Sequence, residues 1–192
     1  MEKLTGLKKI KTAVFISGTG SNLRNIIKFS KIKKFPLSID LVVSNTNKAK
    51  GLKYADKNSI KKKVFNFEGS KNSEKNILQL MKKEKIKFIC LAGFMKVLSH
   101  HFIEKFDGKI INIHPSLLPK YKGLNTHQRA IKNKDKFSGC TVHYVTKKLD
   151  SGKIILQTKV RISSKDNPTT LAKKIKKKEY KLYPAAILKI IN

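Results

Sequence analysis

Short apolar, β-branched runs alternate with amphipathic segments along most of this chain. The first run, TAVFIS at 12–17, has the composition of a strand buried on both faces of a parallel sheet. A glycine-rich turn at 18–22 ends it, and the segment 23–33 then carries apolar residues at helical spacing. Repeated strand–helix alternation predicts a doubly wound, mostly parallel α/β sheet.

The same reasoning predicts the remaining elements. Further strands are expected at 37–44, 64–67, 87–92, 109–113, 140–146 and 153–160. Further helices are expected at 48–57, 73–85, 98–105, 126–132 and 168–191. A turn at 150–152 separates the last two strands, so they are predicted to form a C-terminal hairpin before the final helix. No linker or repeat interrupts the pattern, and residues 1–192 are predicted to form a single domain.

The charge is extreme, with 44 basic residues against 12 acidic ones and a net charge of +32. Such a balance usually suggests nucleic acid or an anionic surface. However, the only arginines are Arg24, Arg129 and Arg161, and the lysines are spread along the whole chain. Specific nucleic-acid sites favour arginine. We therefore expect a solvated lysine surface and no specific nucleic-acid partner; any such binding should be weak and salt-sensitive.

Cysteine content and hydropathy indicate the cellular location of the protein. Cys90 and Cys140 lack a second cysteine or histidine at metal-ligand spacing, so reduced structural thiols are expected. The segment 1–11 has no apolar stretch of the kind found in secretory signals, and no run approaches the length of a membrane span. A cytoplasmic location without membrane association is therefore predicted.

Two patterns fall on loops where doubly wound sheets bind ligands, beyond the carboxyl ends of the strands. The first comprises Gly20, Ser21 and Asn22, between the first strand and its helix. Glycine allows close backbone approach, and the amides of a first helical turn point at an anion, which suits one phosphate. The third glycine of a dinucleotide motif and the lysine of a triphosphate loop are both missing. A simple glycine turn with a polar cap is an equal alternative.

The second pattern is Asn112 and His114 on the fifth strand, with Asp150 further along. Alternate strand residues share a face, so Asn112 and His114 point together while Ile111 and Ile113 enter the core. An amide beside an imidazole suits acyl transfer, because the amide can donate to an oxyanion while the imidazole assists with charge or protons. Taken singly, the pair could be an ordinary strand end, and Asp150 could be a turn former.

In combination, these segments resemble the glycinamide ribonucleotide formyltransferases, folate-dependent enzymes of purine synthesis. The resemblance runs from about residue 12 to about 188 and is carried by VFISGTGSNL at 14–23, LAGFMKVLS at 91–99, NIHPSLLPK at 112–120, GLNTH at 123–127 and TVHYVTKKLDSGKIILQ at 141–157. It implies a Rossmann-like formyltransferase fold. It also implies that 10-formyltetrahydrofolate is the co-substrate, that the amine of glycinamide ribonucleotide accepts the formyl group, and that no metal is needed.

The resemblance further implies roles for matched positions. Asn112, His114 and Asp150 would be catalytic, with Asp150 holding His114 as a cation. Substrate-binding positions would be Gly20, Ser21 and Asn22 for the phosphate, and Glu179 near the ribose or glycinamide. Folate would lie against Met95, Lys96, Val97, Leu98, Thr146, Lys147, Lys148 and Leu149. Lys71 is the nearest candidate for an arginine that the family carries between the third strand and the next helix.

Some positions depart from the family, and three rival functions compete with the main one. Family members commonly have arginine at the position of Lys96 and acidic residues at those of Lys147 and Lys148. Methionyl-tRNA formyltransferase normally adds a tRNA-binding domain for which this chain has no room. Formyltetrahydrofolate deformylase carries histidine at the position of Pro115. A non-enzymatic nucleic-acid-binding protein would leave the catalytic pattern unexplained. Either a monomer or a homodimer is compatible with the sequence. For His127 and His143, a structural role is favoured over a chemical one, and a position of His143 near the catalytic strand stays open.

Overall fold

Seven strands form one sheet in the computed structural model, which describes residues 9–67 and 71–191. The sheet order is β3-β2-β1-β4-β5-β6-β7. The strands are β1 (Ile10–Ile16), β2 (Leu37–Ser44), β3 (Lys61–Val64), β4 (Phe88–Leu91), β5 (Lys109–His114), β6 (Phe137–Tyr144) and β7 (Ile154–Arg161). The first five strands are parallel, and β6 and β7 form an antiparallel hairpin. The predicted α/β fold and hairpin are confirmed.

Helices cover both faces of this sheet. They are α1 (Ser21–Ser30), α2 (Leu52–Asp56), α3 (Lys71–Lys83), α4 (His100–Lys105), α5 (Thr126–Lys132) and α6 (Pro168–Ile191). Along β1, Val14 and Ile16 belong to the core beneath α1 and α6, whereas Ala13 and Phe15 belong to the core beneath α3 and α4. Burial on both faces is why the sequence of β1 is a continuous apolar run. None of the described helices is both long enough and apolar enough to cross a membrane.

The predicted position of the third strand is wrong. The strand covers Lys61–Val64 rather than 64–67, and its side chains are exposed. Phe65 and Phe67 come after the strand and pack against the core beneath α3. An edge strand needs backbone pairing on one side only, and lysines at an edge discourage pairing with other chains. The hydrophobic residues therefore belong to the segment that follows β3, which packs against the core, and not to the strand itself.

The second helix is shorter than the predicted 48–57 and begins at Leu52. Gly51 lies directly before it and donates its amide to Gly18 O at 2.9 Å. A Cβ on Gly20 would lie only 2.5 Å from Gly51 Cα, so the two backbones are in contact. This contact ties the turn after β1 to the start of α2.

The strand order reverses direction between β1 and β4, and in such sheets a ligand crevice opens at this point. The loops after the two strands are joined there. Ser17 donates its amide to Gly93 O at 3.1 Å, and Ser17 Oγ accepts the amide of Met95 at 2.8 Å. The adjacent end of β5 carries His114, so the loops that follow β1, β4 and β5 meet at one edge of the sheet.

Candidate active site

Asn112 and His114 lie at the carboxyl end of β5 and share one face of the strand. Ile111 and Ile113 are buried in the core, as the predicted alternation requires. The antiparallel register with β6 places Asn112 opposite His143. Asn112 Nδ2 lies 3.3 Å from His143 Nε2. An amide and two imidazoles therefore converge where β5 and β6 meet.

Asp150 follows β6 and places its carboxylate between the two imidazoles. Its Oδ2 lies 3.3 Å from His114 Nδ1, and its Oδ1 lies 3.5 Å from His143 Nε2. Oδ2 also accepts the amide of Gly123 at 2.8 Å. Asp150 is buried and has a left-handed backbone, with φ of 46°. The three residues predicted to be catalytic thus lie in one cluster, although Asp150 is distant from the other two in sequence.

The other side of the His114 ring contacts the backbone of the following loop. His114 Nε2 donates to Tyr121 O at 2.8 Å. The Tyr121 hydroxyl donates in turn to Asp135 at 2.8 Å. Earlier in the loop, Thr141 Oγ1 donates to Ser116 O at 2.7 Å. Since a carbonyl can only accept, Tyr121 O requires the proton of a neutral His114 to reside on Nε2.

Burial controls the ionisation of this cluster. Desolvation lowers the pKa of His114 below its usual value and outweighs the opposing effects of the Tyr121 carbonyl and Asp150. For Asp150, burial acts to raise the pKa, but contacts with His143, the Gly123 amide and His114 together lower it. The lowered pKa of His114 favours the neutral imidazole near neutral pH in the protein without substrates, and the lowered pKa of Asp150 favours the carboxylate. A cationic His114 during the reaction stays a prediction.

Gly20, Ser21 and Asn22 form the start of α1. Gly20 has φ of 69°, and the first bond of the helix runs from the amide of Arg24 to Gly20 O. The preceding amides of the first turn have no carbonyl partner within the helix and point outward at its positive end. A phosphate there would face both backbone donors and a favourable helix dipole.

Asn22 links this turn to α6. Its Nδ2 donates to Glu179 Oε2 at 2.8 Å, whereas its buried Oδ1 has no hydrogen-bond partner among the described residues. Burial raises the pKa of Glu179, and the Asn22 hydrogen bond only partly opposes this. Buried polar atoms without partners are uncommon in folded proteins. The pair therefore suits a polar ligand that would complete its hydrogen bonds.

Exposed apolar side chains border the same crevice. Met95 and Val97 are 65% and 72% exposed, and Leu149 is 52% exposed, whereas Leu98 is buried in the core. Thr146 Oγ1 donates to Lys148 O at 3.1 Å. The remaining expected folate residues are Lys96, which is half-buried, Lys147, which pairs with Glu104, and Lys71, whose side chain lies outside the described part of the structure.

The family model described as Formyl transferase matches residues 10–187. The chain belongs to this family. Phosphoribosylglycinamide formyltransferase of Haemophilus influenzae is 42% identical over 184 residues, which cover 94% of this chain and 86% of that protein. The human trifunctional purine biosynthetic protein adenosine-3 is 41% identical over 183 residues. Those residues are 94% of this chain, which spans only 18% of the human protein.

Solved structures show the same fold for this formyl transferase. Phosphoribosylglycinamide formyltransferase from Brucella melitensis has a TM-score of 0.90 and 42% identity, with 95% of this chain and 96% of that chain covered. The enzyme of the same name from Bacillus halodurans has a TM-score of 0.90 and 34% identity, with 95% of each chain covered. The predicted family resemblance is confirmed.

Sequence reasoning misses two residues that contact the candidate site. The sequence predicts a structural role for His143, yet this residue contacts both Asn112 and Asp150. It also places Gly51 within a helix, yet Gly51 supports the turn at Gly20. The antiparallel pairing of β5 and β6 would have predicted the contact of His143, since it sets this residue opposite Asn112. Nothing local in the sequence indicates the second.

The ionisation of His114 predicts a pH dependence of stability. A histidine whose pKa is lower in the folded state stabilises the fold above its unfolded pKa of about 6.5, and this contribution is lost as the pH falls through the folded pKa. We expect urea unfolding of the formyl transferase to show a falling free energy of unfolding from pH 7 to pH 5, and a smaller decline in His114→Gln. Equal slopes for the two proteins would contradict the lowered pKa.

Proposed function

We propose that this formyl transferase transfers the formyl group of 10-formyltetrahydrofolate to the amine of glycinamide ribonucleotide, a step of purine biosynthesis. The observation that carries the proposal is the cluster of Asn112, His114 and Asp150 at the sheet edge that also bears the Gly20 turn. The names of the relatives support the same reaction. The substrates are small molecules, and no metal is required because the formyl group on the folate nitrogen is already activated.

The two sides of the crevice suit two different substrates. The ribonucleotide phosphate would accept hydrogen bonds from the Gly20, Ser21 and Asn22 turn, and Glu179 would bind the ribose or glycinamide portion. The folate ring would contact the exposed apolar surface of Met95, Val97 and Leu149, with Lys96, Leu98 and the loop 146–148 beside it. Between these regions lies the polar cluster, so the amine and the formyl group would meet beside Asn112.

The proposed reaction is a direct transfer. The amine nitrogen attacks the formyl carbon, and the carbonyl electron pair moves to oxygen, which gives a tetrahedral intermediate. The new ammonium loses a proton and N10 of the folate gains one. The C–O double bond then re-forms, the bond to N10 breaks, and the products are a formamide and tetrahydrofolate.

Asn112 and the His114–Asp150 pair have different roles in this scheme. An amide N–H of Asn112 would donate to the developing oxyanion, a contact that strengthens as negative charge accumulates. The lone pair on His114 Nδ1 faces ionised Asp150, so this pair has a ready position for the proton released by the amine. The proton would then pass from the His114–Asp150 pair to N10 of the folate, directly or through water.

The remaining expectations extend this proposal. A cytoplasmic enzyme acting on soluble metabolites would need no membrane contact. The lysine surface would have no specific nucleic-acid partner, and the enzyme would act as a monomer or homodimer of one domain over residues 1–192. Binding to RNA that persists at high salt would contradict the absence of a specific nucleic-acid partner.

A direct assay tests the reaction. Purified protein with 10-formyltetrahydrofolate should release tetrahydrofolate, followed by folate absorbance, only when glycinamide ribonucleotide is added. Mass spectrometry should find one formyl group on the ribonucleotide for each folate released. Release of formate and tetrahydrofolate without the amine would instead indicate a deformylase, and formylation of methionyl-tRNA alone would indicate the tRNA enzyme. Either result would overturn the proposal.

A further inference from the structure

His143 occupies a position in the cluster that the catalytic roles described above do not use. Its Nε2 lies 3.3 Å from Asn112 Nδ2 and 3.5 Å from Asp150 Oδ1. Its side chain thus bridges these two groups, which the catalytic scheme assigns to different tasks. The ring is nearly inaccessible to solvent, with 3% of the side chain exposed. A buried imidazole between a catalytic amide and a catalytic carboxylate is placed to act on both.

The backbone determines which nitrogens of the two rings carry protons. His143 Nδ1 lies 2.8 Å from Tyr144 O, and His114 Nε2 lies 2.8 Å from Tyr121 O. Because carbonyls only accept, both of these outer nitrogens must be donors. In their neutral forms, the inner nitrogens therefore carry lone pairs. Those inner nitrogens are the ones that face the two oxygens of Asp150.

Two lone pairs thus flank one carboxylate. The contacts of 3.3 and 3.5 Å are longer than the roughly 2.7–2.9 Å of a charge-assisted hydrogen bond, which fits the absence of a proton between them. A proton that enters the cluster would find a partner on either side of Asp150, and the carboxylate would stabilise the resulting imidazolium. Both imidazoles present the same kind of nitrogen to Asp150, although only His114 lies on the strand with Asn112.

We propose that His143 is a positioning residue of the formyl transfer site that orients the Asn112 amide and shares with His114 the proton whose charge the Asp150 carboxylate stabilises. This inference rests on the proposed function. By accepting one N–H of Asn112, His143 turns the amide so that its second N–H can reach the formyl oxygen. When the attacking amine loses its proton, the same Nε2 lone pair can exchange the Asn112 N–H for that proton beside Asp150, so His143 performs the two tasks in turn. That proton later leaves for N10, so the cluster is unchanged after each turnover.

His143→Gln separates the two parts of this role from mere support of the fold. Glutamine can still accept from Asn112 but cannot bind a proton near neutral pH. We expect kcat to fall on the order of 10-fold, which is less than the loss of a sole acid–base group, while KM for both substrates changes little. The kcat of His143→Ala should fall further, because this variant also removes the acceptor for the Asn112 amide. His101→Gln, an exposed histidine on α4, is the matched control and should retain wild-type kcat.

A titration of His114 measures a property that a purely structural role of His143 would not change. Burial lowers the pKa of His114, and charge on His143 and on Arg129 of α5 lowers it further. Burial acts to raise the pKa of Asp150, whereas the His143 contact lowers it. Burial lowers the pKa of His127 on α5, and charge on His114 lowers it further. Nitrogen-15 NMR of His143→Gln without substrates should therefore show the His114 titration moved to higher pH. The acidic limb of the kcat profile should move in the same direction.

The outcomes are distinct. If His143→Gln is folded and has wild-type kcat, or if the His114 titration is unmoved, the inference is wrong. The NMR result needs no substrate, so it is independent of the proposed reaction. Failure of the proposed function would appear differently, as a lack of amine-dependent turnover in the unsubstituted protein.

Discussion

Asp150→Asn is expected to lower kcat by roughly 10²–10⁴-fold, the range for loss of an acid–base group, with little change in KM. Asparagine has the same shape and can still accept the amide of Gly123. It cannot stabilise an imidazolium, however. With its oxygen toward Gly123, its NH₂ group would face His143 Nε2 and donate to a lone pair that the transferred proton needs. Steady-state kinetics with both substrates varied would measure the effect.

The matched control is Asp107→Asn. Asp107 is 91% exposed at its side chain and pairs with Lys87 on the surface, so its replacement should leave kcat within experimental error. Circular dichroism and urea unfolding would establish that both variants are folded. Near-normal turnover by a folded Asp150→Asn protein would remove Asp150 from the mechanism.

Gly20→Ala is expected to raise KM for glycinamide ribonucleotide by about tenfold or more and to lower the free energy of unfolding by roughly 1–3 kcal/mol. Gly20 has φ of 69°, which a residue with a Cβ adopts only with strain. The added Cβ would also lie 2.5 Å from Gly51 Cα, a backbone atom that no rotamer change can move. Relief requires the start of α1 to shift, which would misdirect its amides from the phosphate.

Gly18→Ala is the control for stability in the same turn. An added Cβ at Gly18 would meet no atom within 4 Å, and this residue does not have the positive φ of Gly20. Its unfolding free energy should therefore stay close to that of the wild type. Urea unfolding of both variants, together with KM for each substrate, separates the two effects. An unchanged KM for the ribonucleotide in Gly20→Ala would contradict the phosphate assignment of this turn.

Most of the fold is predictable from the sequence because the parallel strands are buried on both faces. Such strands appear as short apolar runs, and amphipathic helices reveal the periodicity of their packing. The final helix and α5 have the boundaries that the sequence predicts. The prediction fails at β3, where three exposed lysines form most of the strand, while Phe65 and Phe67 anchor the segment after it. Backbone pairing at a sheet edge leaves no hydrophobic signal.

For the site, strand alternation in the sequence indicated that Asn112 and His114 share one face, and the resemblance of the combined motifs to a known family implied the role of Asp150. Only the tertiary structure decided how protons are arranged among them. The antiparallel register brings His143 against Asn112, and two backbone carbonyls direct the inner nitrogens of both rings toward Asp150. Burial then lowers the pKa of His114. Desolvation and hydrogen-bond direction depend on neighbours distant in sequence, so no local pattern could encode them.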